Sequence, residues 1–431
     1  INNNLIAIDP TSDLTEGETY HISYPSGSFT NTGGDRSYVG TAYTFGIVKY
    51  VRSLMVWGRN NSNGQLGLND IVSRSSPTQL PGATWEKAFQ GGGYSLAEAG
   101  AAFAMKTDGT LWGWGSNAYG GLGLNQGGNY QVEPKYSSPV QIPGTTWKYL
   151  STTIAAGSIV HATKTDGTMW SWGSNSYGQL GQNESWPTPG SGSGLGQSSP
   201  AQIPGTTWNR TATGDKVAGA TRTDGTLWMW GYNNYGQVGV NDRTSYSSPK
   251  QIPGTTWAHV ASNFYQFAAT KTDGTLWAWG PNWQGQLGQN DTTQRSSPVQ
   301  IPGTNWSTSA TGICGTSTRS WLALKTDGTL WAWGKNDKGT CGQNNQTYYS
   351  SPVQIPGTTW NHVAACNGMG FASKTDGTLW GWGRQEYGQL GVNNKTYYQS
   401  PVQIPGTTWN LSKTYSSGSN YADYVLIMQK A

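Results

Sequence analysis

Charge is scarce in this chain: 26 Lys and Arg and 22 Asp and Glu make up only 11% of its 431 residues. The small excess of +4 gathers into no basic block, so neither nucleic acid nor an anionic membrane surface is an expected partner. Long apolar runs are also missing. The longest, Val425-Leu426-Ile427-Met428, is far too short to span a bilayer, and no membrane insertion is expected. Cysteine stops at three, Cys314, Cys341 and Cys366, with no Cys-x-x-Cys pair. That pattern favours buried thiols and leaves room for one disulfide at most. Histidine stops at four, His21, His161, His259 and His362, with no His-x-x-x-His or Cys–His cluster. A metal centre or a nucleophilic triad therefore has little support, and no cofactor is implied.

What the chain has is glycine, 61 residues, with 23 Trp and 23 Tyr. Such a profile suits short strands joined by tight turns rather than a coiled coil or a disordered chain. The string Lys-Thr-Asp-Gly-Thr-Leu-Trp-Ala-Trp-Gly runs from Lys271 to Gly280, and close copies end at Gly115, Gly173, Gly231, Gly334 and Gly383. A degenerate copy ends at Trp57-Gly58. A second string, Pro-Gly-Thr-Thr-Trp or a near match, ends at Trp85, Trp147, Trp208, Trp257, Trp306, Trp360 and Trp409. Successive Trp-Gly pairs lie 57, 58, 58, 49, 54 and 49 residues apart. A period near 50 means a solenoid or a propeller.

The local chemistry is that of strands. Asp-Gly between extended segments signals a hairpin, because glycine accepts a positive φ. In Thr275-Leu276-Trp277-Ala278-Trp279 the two indoles fall on one strand face. Gly-Gln-Leu-Gly, as at Gly285 to Gly288, permits a tight bend, and Pro-Gly, as at Pro302-Gly303, marks another turn. The repeated positions hold 20 of the 23 Trp, which are expected in the core; Trp186, Trp283 and Trp321 are the exceptions. The fold class is therefore all-β.

Catalytic constellations are not evident. Six of the 22 carboxylates, Asp108, Asp166, Asp224, Asp273, Asp327 and Asp376, belong to the hairpins, where turn formation explains them. The rest are scattered, without the convergent pair that a glycosidase needs. In the Asp box of sialidase propellers one residue separates Asp from Gly; here the two are adjacent. Gly91-Gly92-Gly93 lacks the Lys-Ser or Lys-Thr ending of a phosphate loop. Asn290-Asp291-Thr292-Thr293 offers one carboxylate, too little for calcium. The chain is not expected to be an enzyme.

The runs Trp172 to Gly181 and, with Arg-Gln in place of x-Asn, Trp382 to Gly391 follow the pattern Trp-Gly-x-Asn-x-x-Gly-Gln-Leu-Gly. This pattern resembles the regulator-of-chromosome-condensation repeat family across about residues 51–431. The resemblance implies a seven-bladed β-propeller of four-stranded blades. It also implies a binding protein, since members include a nucleotide exchange factor, a β-lactamase inhibitor and many surface and phage proteins. The C-terminal strand, within 421–430, fits the slot missing beside Leu54-Met55-Val56-Trp57 and is expected to complete the first blade. Residues 1–50 form a separate segment with strands expected at Leu5–Ile8, Thr19–Tyr24 and Tyr43–Val48. Its phrase Asp9 to Tyr20 is similar to the second half of a bacterial immunoglobulin-like surface domain. A partial immunoglobulin-like β segment ahead of the propeller is expected, with the whole forming the C-terminal part of a longer protein.

Binding candidates are of two kinds. Blades two and three carry longer loops, Leu124 to Tyr136 and Gln182 to Gln197, which present Tyr130, Tyr136 and Trp186; insertions in repeat proteins collect on one face. An aromatic also precedes the glycine that opens the Gly-Gln-Leu-Gly string or its near copy at Tyr119, Tyr177, Tyr235 and Tyr387, with Trp283 one position earlier in its loop, and these aromatics fit a stacking surface. The expected function is a non-enzymatic binding or structural module on an extracellular surface, above all a phage virion protein (tail fibre or capsid appendage) within a larger assembly. Its partner would be a protein or glycan on a host or neighbouring surface. A bacterial adhesin is the second reading. The third is an exchange factor or protein inhibitor acting through a propeller face.

Overall fold

Each repeat builds outward from its hairpin. Asp273 accepts the Thr275 amide at 2.9 Å and the Thr275 hydroxyl at 2.7 Å. Gly274 supplies the φ of +77° that the turn needs. The chain leaves it as the strand Leu276–Gly280, in which Leu276, Ala278 and Trp279 are buried. The same Asp–Thr bonding recurs at Asp108, Asp166, Asp224, Asp327 and Asp376.

A computed structural model describes residues 19–22, 29–30, 37–38, 43–46, 52–91, 100–126, 134–153, 159–185, 196–316, 318–416 and 423–430. The chain forms two units, residues 1–51 with 431, and Arg52–Lys430. In the first, Thr19–Ile22 pairs antiparallel with Tyr43–Gly46, and Phe29–Thr30 with Ser37–Tyr38. The rest of the segment expected to be immunoglobulin-like lies outside the described residues. The strand expected at Leu5–Ile8 lies outside the described residues.

The second unit is a seven-bladed β-propeller. Blades are numbered here by their Trp-Gly pairs. Blade 5 is representative: its strands from the axis outward are Trp257–Asn263, Gln266–Lys271, Leu276–Gly280 and Arg295–Ile301, all antiparallel. Blade 1 is composite. Its two inner strands, Trp409–Asn410 and Tyr424–Lys430, come from the end of the chain, and its two outer strands, Arg52–Gly58 and Arg74–Gln79, from the beginning. Tyr424–Lys430 pairs with Arg52–Gly58 along its whole length, from Tyr424 opposite Gly58 to Lys430 opposite Arg52. A further piece, Thr414–Ser416, leaves blade 1 and pairs in parallel with Trp85–Gln90 of blade 2.

The apolar core lies between blades, not at the axis. Leu276, Leu287 and Ile301 of blade 5 pack against Trp306, Trp321 and Trp333 of blade 6, and the other blade pairs repeat the pattern. Each Trp of a Trp-Gly pair is fully buried, and its indole N–H donates to a loop carbonyl of the preceding blade: Trp114 to Gln65, Trp230 to Gln179, Trp279 to Gln237 and Trp333 to Gln286, each at 2.9 Å. The glycine that opens the Gly-Gln-Leu-Gly string or its near copy allows blades to touch backbone to backbone. A Cβ on Gly236 would stand 2.5 Å from the Ser296 Cα of the next blade.

Antiparallel order puts the Asp-Gly hairpins and Pro-Gly turns on one rim and the long Gly-Gln-Leu-Gly loops on the other. Six of the twenty Trp expected in the core differ from that expectation. Trp112, Trp170, Trp228, Trp277, Trp331 and Trp380 are half-buried on the hairpin rim. Each N–H donates to the neighbouring hairpin threonine, as Trp277 does to Thr275 at 2.9 Å. A cation sits between each of them and the Pro-Gly Trp of the same blade: Lys271 is 4.2 Å from the Trp277 ring and 4.8 Å from that of Trp257. Trp321 is fully buried and stacks on Trp333 at 6.4 Å.

Candidate binding face on the loop rim

The motif residues themselves frame the loop. In blade 4, the buried Asn233 accepts the Val238 amide at 2.8 Å and donates to the Asp242 carbonyl at 3.2 Å. The buried Gln237 accepts the amide of Tyr235 at 2.8 Å. Gln179 holds Tyr177 in the same way at 2.7 Å, Gln389 holds Tyr387 at 2.6 Å, and Gln286 holds the amide of Gln284, beside Trp283, at 2.8 Å. A buried amide side chain thus fixes the backbone under each aromatic, and the ring itself is left to project.

Three of the expected aromatics come together. Tyr177, Tyr235 and Trp283, from blades 3, 4 and 5, share one sector with Tyr232 and Tyr265. Ring centroids are 5.1 Å apart for Tyr177–Tyr232, 6.3 Å for Tyr232–Tyr235, 5.3 Å for Tyr235–Trp283 and 6.3 Å for Tyr265–Trp283. These edge-on distances lie within the favourable range for aromatic pairs. Cations flank both ends: Lys216 stands 4.8 Å from Tyr177 and Arg319 4.9 Å from Trp283. Trp283 remains 42% exposed and Tyr235 37%. Beneath them Asp215 is buried and hydrogen-bonded to the Tyr265 hydroxyl. Burial pushes the Asp215 carboxyl up, and burial and Asp215 push the Tyr265 phenol up, so that proton stays on the tyrosine.

The remaining candidates lie elsewhere. Tyr387 belongs to a charged sector, with the Arg59 guanidinium 4.9 Å from its ring. There Asp423, 3% exposed, takes Arg384 at 2.9 Å and Arg59 at 3.5 Å. Burial raises the Asp423 pKa against the pull of Arg384. Tyr119 is half-buried in the short turn Ala118–Gly120 with φ of +53°. Tyr136 is half-buried in the outer strand of blade 2, packs on the core and donates its hydroxyl to Gln126. Tyr130 and Trp186 lie outside the described residues. Tyr232 and Tyr265 were not among the expected residues. The signal was present, because these rings fill slots that other repeats give to small or polar residues. Among the described residues no group of three or more His, Cys, Asp or Glu is placed to hold a metal ion, and no helix is long and apolar enough to cross a membrane.

Seven sheets in a ring, tied blade to blade by indoles, define a tandem-repeat propeller with a framed loop rim. The chain belongs to the regulator of chromosome condensation (RCC1) repeat family, whose repeat matches residues 108–158, 166–215, 224–262, 273–316, 327–370 and 376–421. Every match opens on a hairpin aspartate, so each match spans the two outer strands of one blade and the innermost strand of the next. Among curated proteins, the ultraviolet-B receptor UVR8 of Arabidopsis thaliana is 33% identical over 190 residues, 43% of this chain and 38% of UVR8. The mitochondrial RCC1 domain-containing protein RUG3 of the same plant is 28% identical over 43% of this chain and 40% of its own length. The matched region spans about two fifths of these two relatives. Among solved structures, human WBSCR16 superposes with a TM-score of 0.70 at 19% identity, covering 88% of this chain and 99% of that one. Prp20p of Saccharomyces cerevisiae, studied for its binding to Gsp1p and histones, does so with a TM-score of 0.70 at 19% identity, covering 89% and 92%. At such identities the structures establish the fold alone.

These relatives correct the expected function and location. A plant light receptor and a mitochondrial protein stand where a virion surface protein was expected. The phage tail fibre or capsid appendage, the adhesin and the extracellular setting are set aside, as is a host or glycan surface as partner. The repeats misled because Gly, Asn, Ser, Thr and Tyr enrichment answers to the turns and loop frames of the propeller, whatever compartment it occupies.

Proposed function

We propose that this chain is a non-catalytic regulatory propeller, an exchange factor or protein inhibitor that holds a protein partner against its loop rim. Residues 51–431 are the acting unit, and the setting is intracellular, as for its mitochondrial relative. The observation that carries the reading is the aromatic sector of Tyr177, Tyr232, Tyr235, Tyr265 and Trp283. Exposed Trp and Tyr on a rigid frame, with Arg319 beside them, are the residue types that dominate protein interfaces. They supply contact area at little cost in side-chain entropy. Prp20p, with the same fold, has binding properties to Gsp1p and histones.

The test is calorimetric titration of the chain with a panel of small GTPases, nucleotide-free and nucleotide-bound, and with core histones. Saturable binding of one partner, weakened at least tenfold by Trp283→Ala, is expected; for an exchange factor the nucleotide-free GTPase binds tighter. Binding that survives Trp283→Ala and Tyr235→Ala together assigns the partner to another surface and sinks the reading.

A further inference from the structure

The position two residues after each Pro-Gly Trp forms a second ring, around the axis at the hairpin rim. Read from blade 2 to blade 1 it holds Lys87, Tyr149, Arg210, His259, Thr308, His362 and Leu411. Four of the seven carry nitrogen, and none is acidic. Arg210, His259 and His362 line one cavity of about 390 Å³ with the hydroxyl residues Thr308, Ser309, Thr311 and Ser412. No carboxylate lines it among the described residues. A second cavity, between the inner strands, shares His259 and Ala310 with it.

From this arrangement we propose that the axial mouth on the hairpin rim is a binding site for a phosphate-type oxyanion, free or as the phosphate of a small monoester. Arg210 is the charged anchor. Its guanidinium lies 4.8 Å from the centre of the Tyr149 ring. A planar fork of N–H donors matches an oxyanion geometrically. Lys87, two slots round the ring with Tyr149 between, stands outside the cavity wall but near enough for its charge to interact with that of Arg210; its ammonium donates to the Lys148 carbonyl at 2.9 Å. Burial lowers the Lys87 pKa; Glu86 opposes this, while Lys413, Arg210 and Lys148 add to it. Those cations repel one another, and an anion relieves the repulsion. His259 is 3% exposed, and its Nδ1 has no hydrogen-bond partner. An orphaned buried ring nitrogen in the wall of a polar cavity calls for a ligand. His362 is already engaged through Nδ1 with the Thr311 hydroxyl at 2.7 Å, which fixes its ring. The cavity exceeds one phosphate in volume, so a small monoester enters with its phosphate against Arg210. This site is independent of the aromatic sector, which lies on the opposite rim.

The experiment is calorimetric titration of the full chain, in chloride buffer, with inorganic phosphate and with ribose 5-phosphate. Saturable one-to-one binding is expected. Equal affinity for the two identifies free phosphate as the ligand; tighter binding of the ester identifies a phosphomonoester. Arg210→Gln, which keeps the packing on Tyr149, and Lys87→Met are each expected to weaken binding at least tenfold, with melting temperature measured as the fold control. Arg319→Gln, on the other rim, leaves binding unchanged. Absence of saturable binding for both anions at millimolar concentration overturns the proposal. So does wild-type affinity in both folded variants.

Discussion

The indole N–H of Trp57 donates to the carbonyl of Gln389 at 2.7 Å, across 332 residues of chain. The same bond joins every other pair of adjacent blades, but here it closes the ring between the start of the chain and its last complete blade. Trp57→Phe removes the bond and part of the buried ring, at a cost of ~2 kcal/mol. Hydrogen exchange in this variant should accelerate first in Tyr424–Lys430, beside the seam. Equal acceleration in all seven blades would show that closure is not localised there.

The hairpin aspartates stabilise through one carboxylate that serves an amide, a hydroxyl and, through the threonine, an indole. Asp273→Ala leaves Thr275 and Trp277 without that ordered chain. A loss of ~1 kcal/mol is expected, as for removal of a cap, read from the urea midpoint at an unchanged slope. Asp273→Asn should recover most of it, because an amide oxygen still accepts. A variant Asn as unstable as Ala would make the charge, not the acceptor, the active element.

His161 and His259 make stability depend on pH. Both are buried, and burial pushes each pKa down from 6.5 to about 3, with nearby Arg210 adding to the effect at His259. The fold therefore holds them neutral. Unfolding lets them take up a proton below pH 6.5, so their contribution is intact above that value and is lost as pH falls from 6.5 toward 3. Each adds at most ~1.4 kcal/mol per pH unit to the slope. His161→Phe keeps the edge contact with Trp230, 5.4 Å away, and should flatten the slope between pH 6 and 4 by about that amount. An unaltered slope would mean that His161 is protonated in the folded chain.

On the loop rim, Trp283→Ala is expected to leave thermal stability nearly unchanged, within ~0.5 kcal/mol, because the ring is 42% exposed. Gln286→Ala should destabilise by ~1 kcal/mol and also weaken partner binding, since it frees the amide beneath the aromatic. Binding loss in the first variant with stability loss only in the second separates display from frame. A large stability loss in Trp283→Ala would recast the sector as core.

The sequence announced the propeller because its turns are chemical necessities repeated at a fixed period. Asp-Gly, Pro-Gly and Trp-Gly each specify a backbone state, and so locate strands without reference to tertiary contacts. Burial was harder to read. Trp277 and Trp279 share a strand face by alternation, yet Trp277 stands at the rim and meets Lys271, while Trp279 lies deep between blades. Distance along the blade, not strand face, decides between them. The aromatic sector was half legible. Tyr177, Tyr235 and Trp283 stood out beside a motif glycine. Tyr232 and Tyr265 reach them from other slots, and which slots meet across a rim depends on the twist from blade to blade. The axial ring was visible only in part, as the shared slot of His259 and His362. Its partners Lys87 and Arg210 share no residue type with them, only a position.

The composite blade also has a mechanical meaning. Arg52 and Lys430 lie opposite each other at one end of the closing ladder. A force that draws those two residues apart loads the ladder at a single pair and opens it rung by rung, like a zip. The same force drawn across an internal blade would have to shear all its rungs together. Heated, the ring melts as strongly as its interfaces allow; pulled by its ends, it parts at its own fastening first.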